Sequence, residues 1–219
     1  MNIVLIGATG YVGRAVLEEA LNRGHRVTAV ARNTDSLPAH AGLTARAATI
    51  GGDDPAALAA LAATLRGADA AIASFNAGGW QNPNLGADTV AGYAQIVAAA
   101  KQAGVPRLLV VGGAGSLEVA PGQQVLDQPG FPDEYRAGAE AMRSVLKTLR
   151  EERELDWTFL SPAAHLVPGE RTGRFRLGGD QLLVDAAGES TISVQDYAVA
   201  LIDELEQPAH SRKRFTLAY

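Results

Sequence analysis

The chain has 219 residues, of which 47% are hydrophobic, so it is long enough to bury the core of one domain. Its net charge of −5, from 19 basic and 24 acidic residues, disfavours nucleic acid and anionic membranes as partners. The complete lack of cysteine excludes disulfides, thiolate catalysis and zinc–thiolate sites.

Up to Leu160, short β-branched segments alternate with longer alanine-rich segments, a pattern typical of a parallel sheet covered by helices. Six strands are predicted here, at Asn2–Ile6, Arg26–Val30, Ala45–Thr49, Ala70–Ser74, Arg107–Val111 and Trp157–Leu160. Four helices are predicted between them, at Tyr11–Asn22, Pro55–Leu65, Thr89–Ala103 and Pro132–Glu152. The predicted fold class is therefore α/β, a doubly wound parallel sheet with helices on both faces.

After Leu160 the chain becomes richer in proline and glycine, before a predicted helix at Val194–Glu206 and a last strand at Phe215–Leu217. We expect residues 161–193 to form a small C-terminal lid on the substrate side. This segment is not of low complexity, so we interpret 1–219 as a single domain. No apolar run approaches the length of a bilayer span and the first strand has no basic leader, which predicts a soluble, cytoplasmic protein.

The sequence GATGYVG directly joins the first predicted strand to the first predicted helix. Gly7 permits a sharp exit from the strand, Gly10 lets the backbone approach a pyrophosphate, and Gly13 lets the helix pack closely on the sheet. The first helical amides, at Tyr11 and Val12, face the same phosphates. Glycine-rich strings are common in turns, so it is the position between strand and helix that predicts a dinucleotide site.

The second predicted strand ends in VTAVARNTD, where a carboxylate would bind the ribose of NAD(H) and repel a 2′-phosphate. Arg32 stands at that position, and the nearest acid, Asp35, follows later in the loop. The Arg32 guanidinium can bind a phosphate through two hydrogen bonds, and Arg14 can approach the same group. We therefore predict NADP(H) in preference to NAD(H). The alternatives are a solvated loop charge for Arg32 and a surface helix residue for Arg14.

The chain resembles the atypical short-chain dehydrogenase/reductase superfamily in six segments, which occur in the order GATGYVGR, ARN, GGDDPAALAALAATLRGADAAIAS, VPRLLVVGGAGSL, DWTFLSPAA and ISVQDYAVALIDELE. Within it, the chain is similar to the small NAD(P)H-binding proteins labelled NAD-dependent epimerase/dehydratase, and to NmrA-like and biliverdin reductase B-like proteins. The resemblance covers essentially the whole chain. It implies a Rossmann-type fold and says much less about the reaction.

The resemblance also implies cofactor contacts at matching positions. The phosphate loop would comprise Gly7, Thr9, Gly10, Tyr11, Val12 and Gly13. Around the adenosine half would lie Arg32 at the 2′-phosphate, Asp53 near the adenine, and Phe75, Asn76 and Ala77 beside the ribose. The nicotinamide would be approached by Ser161, Pro162 and Ala163. Asp53 fits equally well as a charge that stabilises a helix N-terminus.

Short-chain dehydrogenases transfer a proton with a tyrosine whose pKa is lowered by a lysine four residues later. Tyr135 lies at a plausible position for this tyrosine, but Ala139 is the residue four later, and the next lysine is Lys147. The Tyr135 phenol is therefore expected to be a poor base near neutral pH. Ser116 matches the serine that would hydrogen-bond a substrate carbonyl. Structural roles, in a helix for Tyr135 and in a turn for Ser116, are the alternatives.

The four histidines show no metal-ligand spacing, so we predict no metal site. His165 follows the SPA segment and is a candidate proton donor, with a structural turn histidine as the alternative.

Because no lysine follows Tyr135 by four residues, the sequence favours an acceptor that can be reduced without a strong general acid, such as a flavin, quinone or bilin. We predict an NADPH-dependent oxidoreductase that transfers hydride to a small, conjugated acceptor. Two alternatives stay open, namely a nucleotide-sugar epimerase or dehydratase and an NmrA-like redox sensor that binds NADP(H) without turnover. The expected partner is a small-molecule substrate, and the expected assembly is a monomer or a homodimer.

Overall fold

The computed structural model describes residues 1–52 and 54–219, apart from the side chain of Trp80. Its strands are β1 (Asn2–Ile6), β2 (Arg26–Ala31), β3 (Leu43–Ala47), β4 (Ala70–Ala73), β5 (Leu108–Val111), β6 (Glu118–Ala120), β7 (Gln123–Gln124), β8 (Trp157–Ser161), β9 (His165–Val167), β10 (Arg176–Gly178), β11 (Thr191–Ser193) and β12 (Lys213–Ala218). Its α-helices are α1 (Tyr11–Asn22), α2 (Pro55–Leu65), α3 (Leu85–Ala103), α4 (Asp133–Glu151) and α5 (Val194–Glu206).

Eight strands form one sheet in the order β10-β12-β8-β5-β4-β1-β2-β3. Neighbouring strands in it are parallel, except that β10 runs antiparallel to β12. The strand order reverses at β1, which pairs with β2 on one side and with β4 on the other. Ligands of open parallel sheets bind at such a reversal, beyond the carboxyl ends of the strands.

The core lies on both faces of this sheet. Ile3 and Leu5 pack in the layer that contains α1 and α5, whereas Val4 and Ile6 pack in the layer that contains α2, α3 and α4. Alternate residues of a strand point to opposite faces, and here both faces are apolar because helices cover both. The predicted doubly wound, Rossmann-type α/β fold is confirmed.

The third strand is the clearest boundary error of the sequence-based prediction. The strand predicted at Ala45–Thr49 lies two residues earlier, at Leu43–Ala47. It is an edge strand whose side chains are largely exposed, so no alternation of apolar residues sets its position. Helix α3 also begins four residues before the predicted Thr89, at Leu85.

Residues 161–193 are joined to the rest of the fold at several points. Within the segment β9 pairs with β11, and β10 joins the segment to the main sheet through β12. Between β9 and β10, Arg171 forms two 2.7 Å contacts with the Glu19 carboxylate of α1. The Gly173 amide donates to the Asp196 carboxylate of α5 at 2.7 Å. A lid function for this segment stays a prediction.

No helix within the described part of the chain combines the length and the hydrophobicity needed to cross a bilayer.

Candidate functional site

The turn between β1 and α1 is shaped by two tight glycine contacts. Gly7 has φ of 83°, and a Cβ there would lie 2.1 Å from the Ser74 carbonyl oxygen. A Cβ at Gly13 would lie 2.0 Å from the Gly7 carbonyl oxygen. Gly10 differs, because its φ is −73° and a Cβ there would approach only Gly7 O, at 3.3 Å. The fold itself requires Gly7 and Gly13, whereas a glycine at position 10 mainly leaves space above the turn.

The N-terminus of α1 opens onto that space. The first backbone hydrogen bond of the helix runs from Arg14 N to Gly10 O, at 2.9 Å, so the Tyr11, Val12 and Gly13 amides precede the helical ladder. Within the described residues, no side chain caps this end and its first turn carries no acid. Amides at the positive end of a helix dipole suit an anion, and this arrangement fits a pyrophosphate.

A hollow of about 240 Å³ leads away from the turn along the ends of β1, β2 and β4. Its lining includes the predicted residues Gly7, Thr9, Gly10, Tyr11, Arg32, Phe75 and Asn76. A second hollow, of about 500 Å³, continues past Arg32 and includes Ala77. Asp53, predicted near the adenine, lies outside the described residues.

Two arginines, Arg32 and Arg14, lie close to these hollows. Arg32 is the first residue after β2, is exposed, and lines both hollows. Arg14 donates from Nε to Thr9 O at 2.9 Å and from Nη2 to Ser36 Oγ at 3.2 Å. Its guanidinium is thereby kept beside the turn between β1 and α1. Asp35 is not among the described residues that line either hollow.

Phe75 is fixed by α3 beneath the site. Its ring makes an edge contact with Tyr93, with centroids 5.8 Å apart, and fits there because a Cβ on Gly92 would lie only 2.2 Å from it. The Tyr93 hydroxyl lies 3.3 to 3.4 Å from the carbonyl oxygens of Ala73, Phe75 and Val111. Burial raises the pKa of Tyr93, so its hydroxyl stays protonated and bridges the ends of β4 and β5.

A larger cleft, of about 630 Å³, adjoins the narrow hollow. The two share six lining residues, Gly10, Tyr11, Ser74, Phe75, Asn76 and Gly79. The cleft's apolar side chains come from the end of β5, the segment between β5 and α4, strand β9 and helices α3 and α4. They include Leu85, Val111, Val125, Phe131, Met142 and Leu166. Its polar side chains include Thr89, Tyr135 and His165. Two of the three predicted catalytic residues therefore line one apolar cleft.

Tyr135 and Ala139 lie one helical turn apart on the wall formed by α4. Tyr135 is 44% exposed. Ala139 faces the loop after β5, where a Cβ on Gly115 would lie 2.9 Å from the Ala139 Cβ. Small residues at both positions let the helix and the loop approach closely, so Ala139 serves packing between α4 and this loop.

In the segment after β8, the residues that line the cleft directly follow the three that were predicted to approach the nicotinamide, a contact that stays a prediction. Ser161, Pro162 and Ala163 are buried, and Ser161 is still part of β8. The next residues, from Ala164 through exposed His165 to Leu166, line the cleft. The hydrophobic pattern could not show this, because the strand extends one residue beyond its predicted end.

Ser116 is 4% exposed and is not among the described residues that line the cleft. Its hydroxyl and that of Ser161 each lie 3.4 Å from Arg214 Nη1. Arg214 Nε donates to Asp180 at 2.6 Å. Burial lowers the pKa of Arg214, and the Asp180 carboxylate opposes this effect. A direct role of Ser116 in a reaction stays a prediction.

The sequence analysis did not identify most of the α4 residues that line the cleft, which we call the α4 wall. Gly138 and Met142 line the cleft together with Tyr135 and Ala139. Spacings of three and four residues place them on one face of a helix, so a signal was present in the sequence. In the described part of the chain, no group of three or more metal-ligating side chains is assembled.

The sequence model of the NAD(P)H-binding family matches residues 7–208. The Bacillus subtilis protein named "Uncharacterized protein YwnB" is 40% identical over 222 residues, which cover 99% of this chain and 98% of that protein. The solved structure of a "putative epimerase" from Bacteroides thetaiotaomicron is 45% identical, with a TM-score of 0.90 over 100% of this chain and 96% of that one. A "putative NADH-flavin reductase" from Streptococcus pneumoniae is 35% identical, with a TM-score of 0.80 over 100% and 99%. With its glycine turn at the strand reversal of a Rossmann-type sheet, the chain belongs to the NAD(P)H-binding family.

Proposed function

We propose that this protein is an NADPH-dependent oxidoreductase that transfers a hydride to a small conjugated acceptor such as a quinone or flavin. The proposal rests on one observation, that the narrow hollow and the larger cleft share a wall. Gly10, Tyr11 and Phe75 line both the hollow that leads to Arg32 and the larger apolar cleft. A dinucleotide on the glycine turn would therefore end beside a cavity that suits a flat, apolar ring.

The choice of NADPH rests on charge at the end of β2. Arg32 lines both nucleotide hollows, and Arg14 is oriented beside them by Thr9 and Ser36. We assign the 2′-phosphate to Arg32, with Arg14 as a second cation, because guanidinium groups form strong charge-assisted hydrogen bonds to phosphate. When bound, the cofactor supplies the hydride, while the protein supplies orientation and exclusion of water.

The choice of a conjugated acceptor rests on the α4 wall. Ala139, where the resemblance implies lysine in related enzymes, packs against Gly115, so this position offers no ammonium beside the Tyr135 phenol. A conjugated ring delocalises the incoming electron pair, so a weak acid or solvent suffices for protonation. Tyr135 and His165 line the cleft and are the candidate acids. For a quinone, NADPH and one proton are consumed, and hydroquinone and NADP⁺ are formed.

The names of two relatives bear on this choice. The Streptococcus pneumoniae relative is named as a "putative NADH-flavin reductase", which supports hydride transfer to a conjugated ring but names NADH as the donor. The Bacteroides thetaiotaomicron relative is named as an epimerase, which favours a second candidate, an epimerase or dehydratase that acts on a nucleotide-sugar. That enzyme would regenerate its cofactor within each turnover, so the two candidates differ in net NADPH consumption.

The test is NADPH oxidation by the purified protein with a panel of quinones and flavins. We expect acceptor-dependent oxidation well above the uncatalysed rate. Tyr135→Phe should lower kcat by less than about tenfold, below the range of about 10² to 10⁴ that a required general acid contributes. No acceleration with any acceptor would contradict the proposal. Conversion of a nucleotide-sugar without net NADPH loss would establish the second candidate, and binding without turnover would indicate a redox sensor.

A further inference from the structure

The cleft's lining bears on the charge of the acceptor. Among the described residues that line the cleft, none is Lys, Arg, Asp or Glu. Its polar side chains are hydroxyls, an amide and an imidazole, set among apolar groups such as Leu85, Phe131 and Met142. An ionised group that enters such a cavity loses hydration and gains no ion pair in return.

Two arginines on α4 are engaged by other groups and are not among the described residues that line the cleft. Arg136 donates to the carbonyl oxygens of Leu126 and Phe131, at 3.3 and 3.4 Å, and its guanidinium lies 5.5 Å from the Phe131 ring centre. Arg143 pairs with Asp127 at 2.8 Å. Using either guanidinium to bind an anionic acceptor would require breaking these contacts.

The start of α4 adds negative charge next to the cleft. Asp133 and Glu134 directly precede Tyr135 and are exposed, and Asp133 pairs with Arg136 at 3.3 Å. The two carboxylates offset the positive end of the helix dipole. The whole chain carries a net charge of −5. An anionic acceptor would therefore meet an unfavourable potential before it reached the cleft.

We infer, building on the proposed function, that the acceptor is an electrically neutral conjugated ring, either a quinone or a flavin without phosphate. Acceptors with a phosphate, sulfonate or carboxylate group are used poorly. Flavin mononucleotide and bilins are thereby disfavoured. The redox step is unchanged, since NADPH supplies the hydride and the cleft or solvent supplies the proton.

The decisive comparison is riboflavin against flavin mononucleotide, which share one isoalloxazine ring and differ in the phosphate. We expect kcat/KM to be at least about tenfold higher for riboflavin, a difference of about 1.4 kcal/mol in transition-state binding. Met142→Lys should reduce this ratio by placing a cation in the cleft, and Met142→Leu is the matched control that should preserve it. Equal use of both flavins by the natural protein would overturn the inference.

A binding measurement separates this inference from the proposed function. If no acceptor is turned over, quenching of flavin fluorescence by the NADP⁺-loaded protein reports binding of the same two flavins. Preferential binding of riboflavin would support the inference although hydride transfer had failed. Equal binding of the two flavins, or tighter binding of flavin mononucleotide, would overturn it.

Discussion

In the proposed NADPH site, Arg32 is the residue assigned to the 2′-phosphate. Its replacement by alanine should weaken NADPH binding by about 10- to 100-fold, since a hydrogen bond to a charged group contributes about 1.5 to 3 kcal/mol. NADH binding should change by less than about twofold. Fluorescence titration with both cofactors checks this. Arg26→Ala, an exposed arginine at the opposite end of the same strand, is the control. Equal losses for both cofactors would mean that the 2′-phosphate lies elsewhere.

Gly10 offers a substitution that separates binding from folding. A methyl group there approaches only Gly7 O, at 3.3 Å, at an ordinary backbone angle, so Gly10→Ala should lower Tm by only a few degrees. The same methyl group fills the proposed phosphate space and should weaken cofactor binding at least about tenfold. Thermal unfolding and cofactor titration report the two effects.

Gly179→Ala is the control for Gly10, because its Cβ would meet nothing within 4 Å. Gly7→Ala is expected to be strongly destabilising instead, since Gly7 combines φ of 83° with a 2.1 Å approach. Full cofactor affinity in Gly10→Ala would contradict the assignment of the pyrophosphate to this turn.

At the level of elements, an ion pair joins α1 to the segment between β9 and β10. Hydrogen bonds from Arg171 lower the pKa of Glu19, whose side chain is only 5% exposed. A carboxylate with a lowered pKa stabilises the fold above its unfolded pKa of about 4.3, and this stabilisation disappears as the pH falls through its folded pKa.

Arg171→Ala should therefore lower the free energy of unfolding by about 1 kcal/mol at neutral pH. The value is small because solvent screens the exposed Arg171 side chain. The difference from the natural protein should disappear on acidification. Urea unfolding at a series of pH values measures it, with Arg174→Ala, an exposed neighbour in the same segment, as the control. A difference that is independent of pH would show that the effect does not arise from the Glu19 charge.

An element can be predicted from the sequence when the contacts that determine it lie within the same short segment of the chain. Strand β1 and helix α1 match their predicted bounds residue for residue, because a buried strand, a glycine turn and an amphipathic helix are specified locally. The three-residue strands β9, β10 and β11 were not predicted, since tertiary pairing rather than local pattern creates them.

The same distinction holds for the candidate site. The glycine turn, Arg32, Tyr135 and His165 were identified as single positions, and the structure brings them to the edge of the sheet where the hollows open. The Ala139 contact with Gly115 and the burial of Ser116 depend on how α4 and the loop after β5 pack, and no local pattern reports that distance.

Across the whole molecule, a buried ion pair and the hollows of the proposed binding site lie at opposite ends of the sheet. At the amino end, Arg107 pairs with Glu204, and both are buried. Glu204 also accepts from His210 Nδ1 at 2.7 Å. The Arg107 Nε is already buried without a hydrogen-bond partner among the described residues. Loss of the Glu204 charge would leave this guanidinium with one ion-pair partner among the described residues, the more exposed carboxylate of Asp156 at 3.2 Å.

Glu204→Gln should accordingly lower the free energy of unfolding by about 1 to 3 kcal/mol. Cofactor affinity of the folded fraction should not change, because the hollows lie at the other end of the strands. Urea unfolding and cofactor titration of the same preparation measure both. Glu154→Gln, which alters an exposed pair with Lys101, is the control and should change stability by less than about 1 kcal/mol. A comparable loss in both variants would contradict the special role of the buried pair.

The two tight glycine contacts also have an entropic consequence. Because Gly7 is held against Ser74 and Gly13 against Gly7, contacts within the protein set the shape of the turn. Ligand binding at this turn does not require a loop to become ordered. The protein therefore loses little conformational entropy when the ligand binds. Association is then expected to follow a single kinetic phase whose rate rises linearly with ligand concentration, as in a preorganised site.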